Sequence, residues 1–450
     1  MNNVGLAVMG AAYMGATMAV TPSNAATQTI FALSTAPGRA GVAVIRLSGP
    51  DAEPIALTLS GGAALPARRA VLRKLSRENE VIDEALVLYF PAPNSFTGED
   101  VVELQCHGSH AVIEALSEAL LALGLRQAQA GEFTRRAVEN GRMDLTEAEG
   151  LMDLIDAQTT GQRRQALQQM DGHLRETYEN WREGLLDALA QVEGEIDFAD
   201  EADVPDALSH AAWPYLNQVA ADIEAALKRA DRGRAVRTGI DIAIIGAPNA
   251  GKSTLLNQLV GRDVAITSPQ AGTTRDIVEA HMIIAGMPVT LSDTAGLRDA
   301  IDAIEAEGVR RALARAEDAH LRILLQRGET VKAPIEDGDI VVFNVKTPSN
   351  ENEINALEGY GVDGLLTRLE AVIRDRFTGG EPAGLTRARH ADCARRALSA
   401  TQSAQTHLGI APELVSEDIR AALRAIDELA GRADIEEVFD RIFSQFCVGK

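Results

Sequence analysis

The chain has 450 residues, of which 46% are hydrophobic and 24% charged, and its formal net charge is −22. That length exceeds what one hydrophobic core supports and predicts about three domains, each of globular composition. The acidic excess excludes sequence-independent binding of a polyanion over the whole surface, so any nucleic-acid contact is a local basic patch or is lent by a partner. Three cysteines, Cys106, Cys393 and Cys447, lie far apart without a C-x-x-C pair. Neither a disulfide framework nor a thiolate zinc site is indicated, and a reducing, cytoplasmic setting fits.

Residues 1–28 begin "MNNVGLAVMGAAYMGATMAV", an apolar, Gly-rich run with no Lys or Arg before Arg39. A signal peptide needs a positive n-region, so a non-native or disordered extension is the preferred reading. From residue 29 to 142 strand-like runs ("IFALST", "VAVIRLSG", "EALVLYF", "VVELQCHG") mix with the helical "HAVIEALSEALLALG" and predict an α+β domain. Within it "CHGSH" brings together Cys106, His107 and His110. The trio lacks a fourth ligand, so a structural role is weighed above a metal site.

Residues 143–238 read as the first part of a helical bundle. Leu174, Tyr178, Trp181, Leu185, Leu189, Val192 and Ile196 recur every three or four positions and share one helix face. Leu216, Val219, Ile223 and Leu227 mark another helix, and "KRADRGRAVRTG" reads as a basic linker. Residues 239–378 carry short strands and phosphate-loop chemistry, and residues 379–450 return to helix. A compact α/β unit flanked by helices on both sides suggests insertion into the helical domain. The end, "RIFSQFCVGK", has the C-a-a-X form of a prenylation signal, although Lys450 is not a usual X residue. Lipid anchor and part of a distant site both stay open at this point.

"IAIIGAPNAGKSTLLNQL" is an apolar strand, a G-x-x-x-x-G-K-S loop from Gly246 to Ser253, and a helix. Such a loop aims backbone N–H groups at phosphate oxygens; Lys252 reaches the β- and γ-phosphates and Ser253 binds Mg2+. The nucleotide contacts predicted here are Asn249, Ala250, Gly251, Lys252, Ser253 and Thr254. Downstream, "SPQAGTT" adds Ser268, Pro269, Gln270, Ala271, Gly272, Thr273 and Thr274, with Thr274 as the switch hydroxyl closing on magnesium. "DTAG" adds Asp293, Thr294, Ala295 and Gly296, whose N–H can meet the γ-phosphate. Together these predict a GTP-binding P-loop domain. Leu297 follows where a Ras-like design has a water-orienting Gln, so hydrolysis needs another polar residue and another positive charge. The guanine box is altered too: "FNVKTPSN" has Asn344 and Lys346 but no Asp in register, and Asn355-Ala356 stands where Ser-Ala is usual. A site lacking that carboxylate should discriminate guanine less well.

In order, "PGRAGVAVIRLSGP", "NSFTGEDVVELQCHG", "GEFTRRAVENGRMDLTEAEGLMDLIDA", "GAPNAGKSTLLNQL", "AGTTRDIVE", "DTAGLR" and "IFSQFCVGK" make residues 29–450 resemble one family: MnmE, also called TrmE. The resemblance implies a folate-binding and dimerisation domain over 29–142, and a helical domain carrying an inserted Ras-like G domain. By this resemblance Arg46, Glu103, Arg142 and Lys450 hold 5-formyltetrahydrofolate or a related one-carbon tetrahydrofolate beside the C-terminal Cys-Val-Gly-Lys. Arg142 stands where the family commonly has Lys, with the charge kept. It further implies K+ held by Asn249, Ser268, Gln270 and Thr273, and Glu305 as the catalytic residue orienting the attacking water. The implied reaction adds a carboxymethylaminomethyl group to C5 of the wobble uridine of certain tRNAs. The protein would act as a cytoplasmic homodimer with no membrane association, jointly with the FAD- and NADH-dependent partner MnmG in an α2β2 assembly. The rival expectations are a GTPase similar to Era, acting in ribosome assembly, and a nucleotide-binding scaffold without turnover, prenylated or not.

Overall fold

In the computed structural model the described residues are 28–197, 208–247, 249–261, 279–293, 319–328, 339–377, 384–432 and 436–449. The chain divides into two compact units, Met1–Met143 with Glu436–Lys450, and Asp144–Ile435. The extension expected over residues 1–28 lies, except for Gln28, outside the described residues.

The first unit is built on β1 (Ile30–Leu33), β2 (Ala40–Ser48), α1 (Ala52–Leu59), β3 (Val71–Arg77), β4 (Glu80–Phe90), β5 (Val101–Gly108), α2 (His110–Ala122), β6 (Arg126–Gln127) and α3 (Glu132–Glu139). Its sheet runs β3-β4-β5-β2-β1-β6. The pairings are antiparallel except β1 with β6. Two-residue alternation sorts the side chains: Ala43, Ile45 and Leu47 of β2 and Val102, Leu104 and Cys106 of β5 enter one core with residues of α1 and α2. Arg46 and Glu103, one residue out of phase, therefore lie on the opposite face, directly across from each other. The β3–β4 hairpin turns on Glu78 (φ 50°) and Asn79 (φ 71°), the left-handed pair that a tight primed turn requires.

Residues 379–450 are expected to form one helical piece, but the structure divides them. The C-terminal helix Glu436–Phe443 and the tail belong with the N-terminal unit. Phe443 and Phe446 are buried, Val448 bridges to Ala130, and Ser34 Oγ donates to Gly449 O at 2.9 Å. Gly449 (φ 104°) lies so close to the Leu33 carbonyl that no Cβ fits. Backbone pairing and aromatic burial, which helical spacing does not report, decide where this segment goes.

The second unit holds two cores. One is a helical bundle made by α4 (Leu145–Asp156), α5 (Thr160–Met170), α6 (His173–Asp197), α7 (Trp213–Thr238) and the helices Ala388–His407 and Pro412–Ala430. The α6 stripe packs as its spacing predicts: Leu174, Tyr178, Trp181, Leu185 and Val192 are buried, with Leu189 and Ile196 packed against them. The other core, from residues 235–373, surrounds a sheet of β7 (Ile240–Gly246), β8 (Glu279–Ile284), β9 (Met287–Asp293), β10 (Leu321–Gln326), β11 (Ile340–Asn344) and β12 (Glu353–Ile354). Helices α8 (Lys252–Val260) and α9 (Val362–Phe377) pack on it. The strand order is β12-β11-β10-β7-β9-β8. All neighbours are parallel except β8 with β9.

A buried ion cluster ties α4 to the helix Ala388–His407. Glu149 is 1% exposed. Its carboxylate accepts from Arg389 Nη2 at 2.9 Å and from His390 Nε2 at 2.6 Å, with Arg387 Nε at 3.8 Å. Burial alone would raise the Glu149 carboxyl; the charged groups of this cluster, Arg389 and Arg387 among them, overcome it and hold it below the usual carboxylate range. A depressed folded-state pKa gives stability that is present above the unfolded value and lost as pH falls through the folded one. Replacing Glu149 by Ala strands the Arg389 guanidinium without its anion, while Arg387 keeps Asp153 at 2.6 Å. It should destabilise the helical bundle by about 3–5 kcal/mol in urea unfolding at neutral pH, and Glu149→Gln should flatten the loss of stability below about pH 4. Unchanged unfolding midpoints in both variants would contradict this.

Candidate functional site

The phosphate loop is positioned by the centre of the second sheet. Ile240, Ile242 and Ile244 bury β7 between β10 and β9. At its end Gly246 passes the backbone of β10, where an added Cβ would meet Leu325 O at 2.5 Å. The chain then takes left-handed steps at Asn249 (φ 65°) and Gly251 (φ 103°) before α8 starts at Lys252. At Gly251 a Cβ would also strike the Asn344 side-chain amide, so both conformation and space require glycine there. The result is a helix N-terminus whose dipole points into the mouth of the loop, which favours an anion.

Lys252 is 5% exposed. Its ammonium donates to Gly246 O at 2.8 Å and Ala247 O at 3.0 Å, so the charge is held over the loop. Ser253 Oγ donates to Asp293 Oδ2 in a short contact. Asp293 ends β9 and is 1% exposed, whereas Ser253 is exposed and Thr254 half-buried. A hydroxyl and a carboxylate side by side at the phosphate loop form the hard-oxygen donor set that suits Mg2+. Of the predicted nucleotide residues, Asn249, Ala250, Gly251, Lys252, Ser253, Thr254 and Asp293 thus come together. Ser268, Pro269, Gln270, Ala271, Gly272, Thr273, Thr274, Thr294, Ala295, Gly296 and Glu305 lie outside the described residues, as does Leu297.

On the other side of β7 the loop is fastened by Asn344. Its Nδ2 donates to Ala250 O at 2.7 Å and its Oδ1 accepts from Ala356 N at 3.2 Å. One side chain thereby joins the end of β11, the phosphate loop and the loop after β12. Sequence reasoning singled out Asn344 only as part of a damaged base-reading motif; this bracing role needs the strand order, which the sequence does not print.

In the first unit Arg46 and Glu103 form an ion pair across β2 and β5. Arg46 Nε and Nη2 donate to Glu103 Oε1 at 3.1 and 2.9 Å, each side chain 18% exposed. The guanidinium also lies 5.1 Å from the centroid of the Phe96 ring and 5.8 Å from that of Phe133, a cation–π arrangement that fixes its orientation. Arg142 Nε donates to Ser95 O at 3.1 Å, so it reaches the residue next to Phe96. The tail comes in from the other edge: Gly449 packs on Leu33 and Ser34, and the preceding Ala32 pairs with Arg46 across β1 and β2. Arg46, Glu103 and Arg142 therefore gather around Phe96, while Lys450 lies outside the described residues. Sequence reasoning missed Phe96, Phe133 and Ser95, although "NSFTGED" contained two of them.

The "CHGSH" residues do separate things. Cys106 Sγ donates to Ala43 O at 3.5 Å within the core, where burial pushes the thiol up to about 11. His107 Nδ1 pairs with Asp83 at 2.8 Å, and His110 opens α2 beside Glu114.

Residues 29–142 match the family model described as "GTP-binding protein TrmE N-terminus", and residues 145–447 match "MnmE helical domain". The chain is 50% identical over 435 residues to the tRNA modification GTPase MnmE of Maricaulis maris (strain MCS10), covering 94% of this chain and 99% of that one. It is 49% identical to the protein of the same name from Parvibaculum lavamentivorans, covering 94% of this chain and all of that one. With the Caulobacter vibrioides protein of that name the identity is 46% at the same coverage. Two family models in tandem and relatives matched end to end place this chain in the MnmE (TrmE) family.

Proposed function

We propose that this chain is a GTP-hydrolysing enzyme of tRNA modification. The observation that carries this reading is the phosphate loop. Gly251 holds a left-handed turn, Lys252 is buried over the loop carbonyls, and Ser253 meets Asp293 at the mouth. Bound there, Mg2+ would be held by Ser253, with Thr274 as a second candidate, and would neutralise phosphate charge. Lys252 would shift from its carbonyl partners to phosphate oxygens, and the N–H groups at the start of α8 would orient the β-phosphate. With Leu297 in place of a water-orienting Gln, Glu305 is assigned to the attacking water. K+ held by Asn249, Ser268, Gln270 and Thr273 would supply the positive charge when two G domains meet in a homodimer.

In the same reading the α/β part is an insertion, since the bundle core takes side chains from residues 174–230 and again from 385–430, with the P-loop core between them. The first unit is read as the folate site. Glu103 offers a carboxylate to the donors of a pterin, and Arg46 and Arg142, with Lys450, offer cations to its glutamate tail. A one-carbon tetrahydrofolate would supply a methylene group and glycine an amine for a carboxymethylaminomethyl group at C5 of the wobble uridine, together with MnmG. The docked tail supports this reading over a lipid anchor: its backbone is paired with Ala130 and Ser34.

Three outcomes test these assignments. GTP hydrolysis should be faster in potassium than in sodium buffer, and Asn249→Ala should abolish the difference; equal rates for the native chain in both salts would rule out the cation. In single-turnover assays Glu305→Ala should retain GTP binding and raise the hydrolytic barrier by about 2–4 kcal/mol, and an unaltered rate would free Glu305 of that role. Deleting residues 447–450 should abolish 5-formyltetrahydrofolate binding by calorimetry and spare most GTP hydrolysis. Full-strength folate binding by the truncated chain would remove the tail from that site.

A further inference from the structure

The proposed function leaves open how the nucleobase is read, and the structure limits what can read it. Ser253 and Asp293, which would hold the metal, lie on the β9 side of β7. A nucleotide lying on the phosphate loop then extends its base to the other side, toward the ends of β11 and β12, where Asn344 and Ala356 brace the loop. Telling guanine from adenine there is a matter of one edge. Guanine presents two donors, N1–H and the N2 amine; adenine presents an acceptor at N1 and a donor at N6. A carboxylate accepts both guanine donors and repels the adenine N1 lone pair, which is why a fixed acceptor gives large selectivity.

The loops place no such group three residues beyond Asn344; their carboxylates, Glu351, Glu353 and Glu358, come later in the chain. Asn344 sets the register and its amide is used on the scaffold, while Val345 N donates to Ile354 O at 2.8 Å. The positions that follow are Lys346, Thr347, Pro348, Ser349 and Asn350, and the loop after β12 opens with Asn355, Ala356 and Leu357. The Asn355 amide is used as well: Nδ2 donates to Lys346 O at 2.9 Å, and Oδ1 accepts from Leu357 N and Glu358 N, both at 3.1 Å. The Glu353 carboxylate accepts from both the N–H and the hydroxyl of Ser349 at 2.8 Å. Three residues beyond Asn344 stands Thr347, exposed, with a neutral hydroxyl that can donate or accept and so satisfies either base.

Resting on the nucleotide-site reading above, we infer that this site binds purine nucleoside triphosphates with little discrimination between guanine and adenine, and that Thr347 is the position responsible. Affinity then comes from the phosphates and from stacking, to which every base contributes a face.

The test is competition of GTP, ITP and ATP, each with Mg2+, against a fluorescent GTP analogue on the full-length chain and on Thr347→Asp. The native chain should bind GTP and ATP within about tenfold of each other, and ITP as well as GTP because the N2 amine is not read. In Thr347→Asp the GTP-over-ATP ratio should rise by about 100-fold or more, with ITP falling below GTP. A native preference for GTP of about 1,000-fold or more would overturn the inference and leave the nucleotide site standing, as would a ratio that Thr347→Asp does not move. Failure of the native chain to bind any triphosphate would overturn both.

Discussion

Everything at the nucleotide site depends on one constraint: the chain must turn from β7 into α8 sharply enough that the first turn of the helix faces one point. Few backbones tolerate this. Here it is met by left-handed steps at Asn249 and Gly251, the second with no room for a Cβ. Lys252 caps the loop carbonyls and Asn344 fastens Ala250, so the turn is held by neighbours that a ligand need not displace all at once. Preorganisation of this kind lowers the ordering cost of binding.

Charge is handled differently at Lys252, Arg46 and Glu149. At Lys252 the cation rests on carbonyl dipoles, partners weak enough to be exchanged for phosphate. At Arg46 it is matched by Glu103 and flanked by Phe96 and Phe133, leaving an oriented pair at a partly open face. At Glu149 the anion is closed in by Arg389, His390 and Arg387, with no exposed surface left for a ligand. The first two arrangements suit binding; the third suits holding α4 to a helix that is distant in sequence.

How much of this the sequence disclosed follows from the range of each interaction. The strand-loop-helix of the phosphate site and the buried stripe from Leu174 to Val192 are local patterns, and both were legible. Arg46 and Glu103 entered through family resemblance as folate residues, and their pairing with each other did not, because the register of β2 against β5 joins residues far apart in the chain. The bracing role of Asn344 is hidden from the sequence for a similar reason. Its amide is satisfied by Ala250 and Ala356, one from each neighbouring loop, and a motif count sees only the missing carboxylate. The tail shows the limit most plainly. Its helical spacing fits a bundle as well as a capping helix, family resemblance puts its end beside the folate domain, and the bridge to Ala130 and the fit of Gly449 on Leu33 assign it to the first unit.

The nucleotide chemistry rests on the phosphate loop as a triphosphate site, and equilibrium dialysis of labelled GTP in Mg2+ tests it directly. The native chain should bind one GTP per chain, with affinity lost when Mg2+ is chelated. Gly251→Val, which forces a Cβ into Asn344 at a left-handed position, should bind about 100-fold more weakly or not at all, and retain the native unfolding profile of the helical bundle. Equal GTP binding by Gly251→Val, or no binding by the native chain, would contradict the assignment.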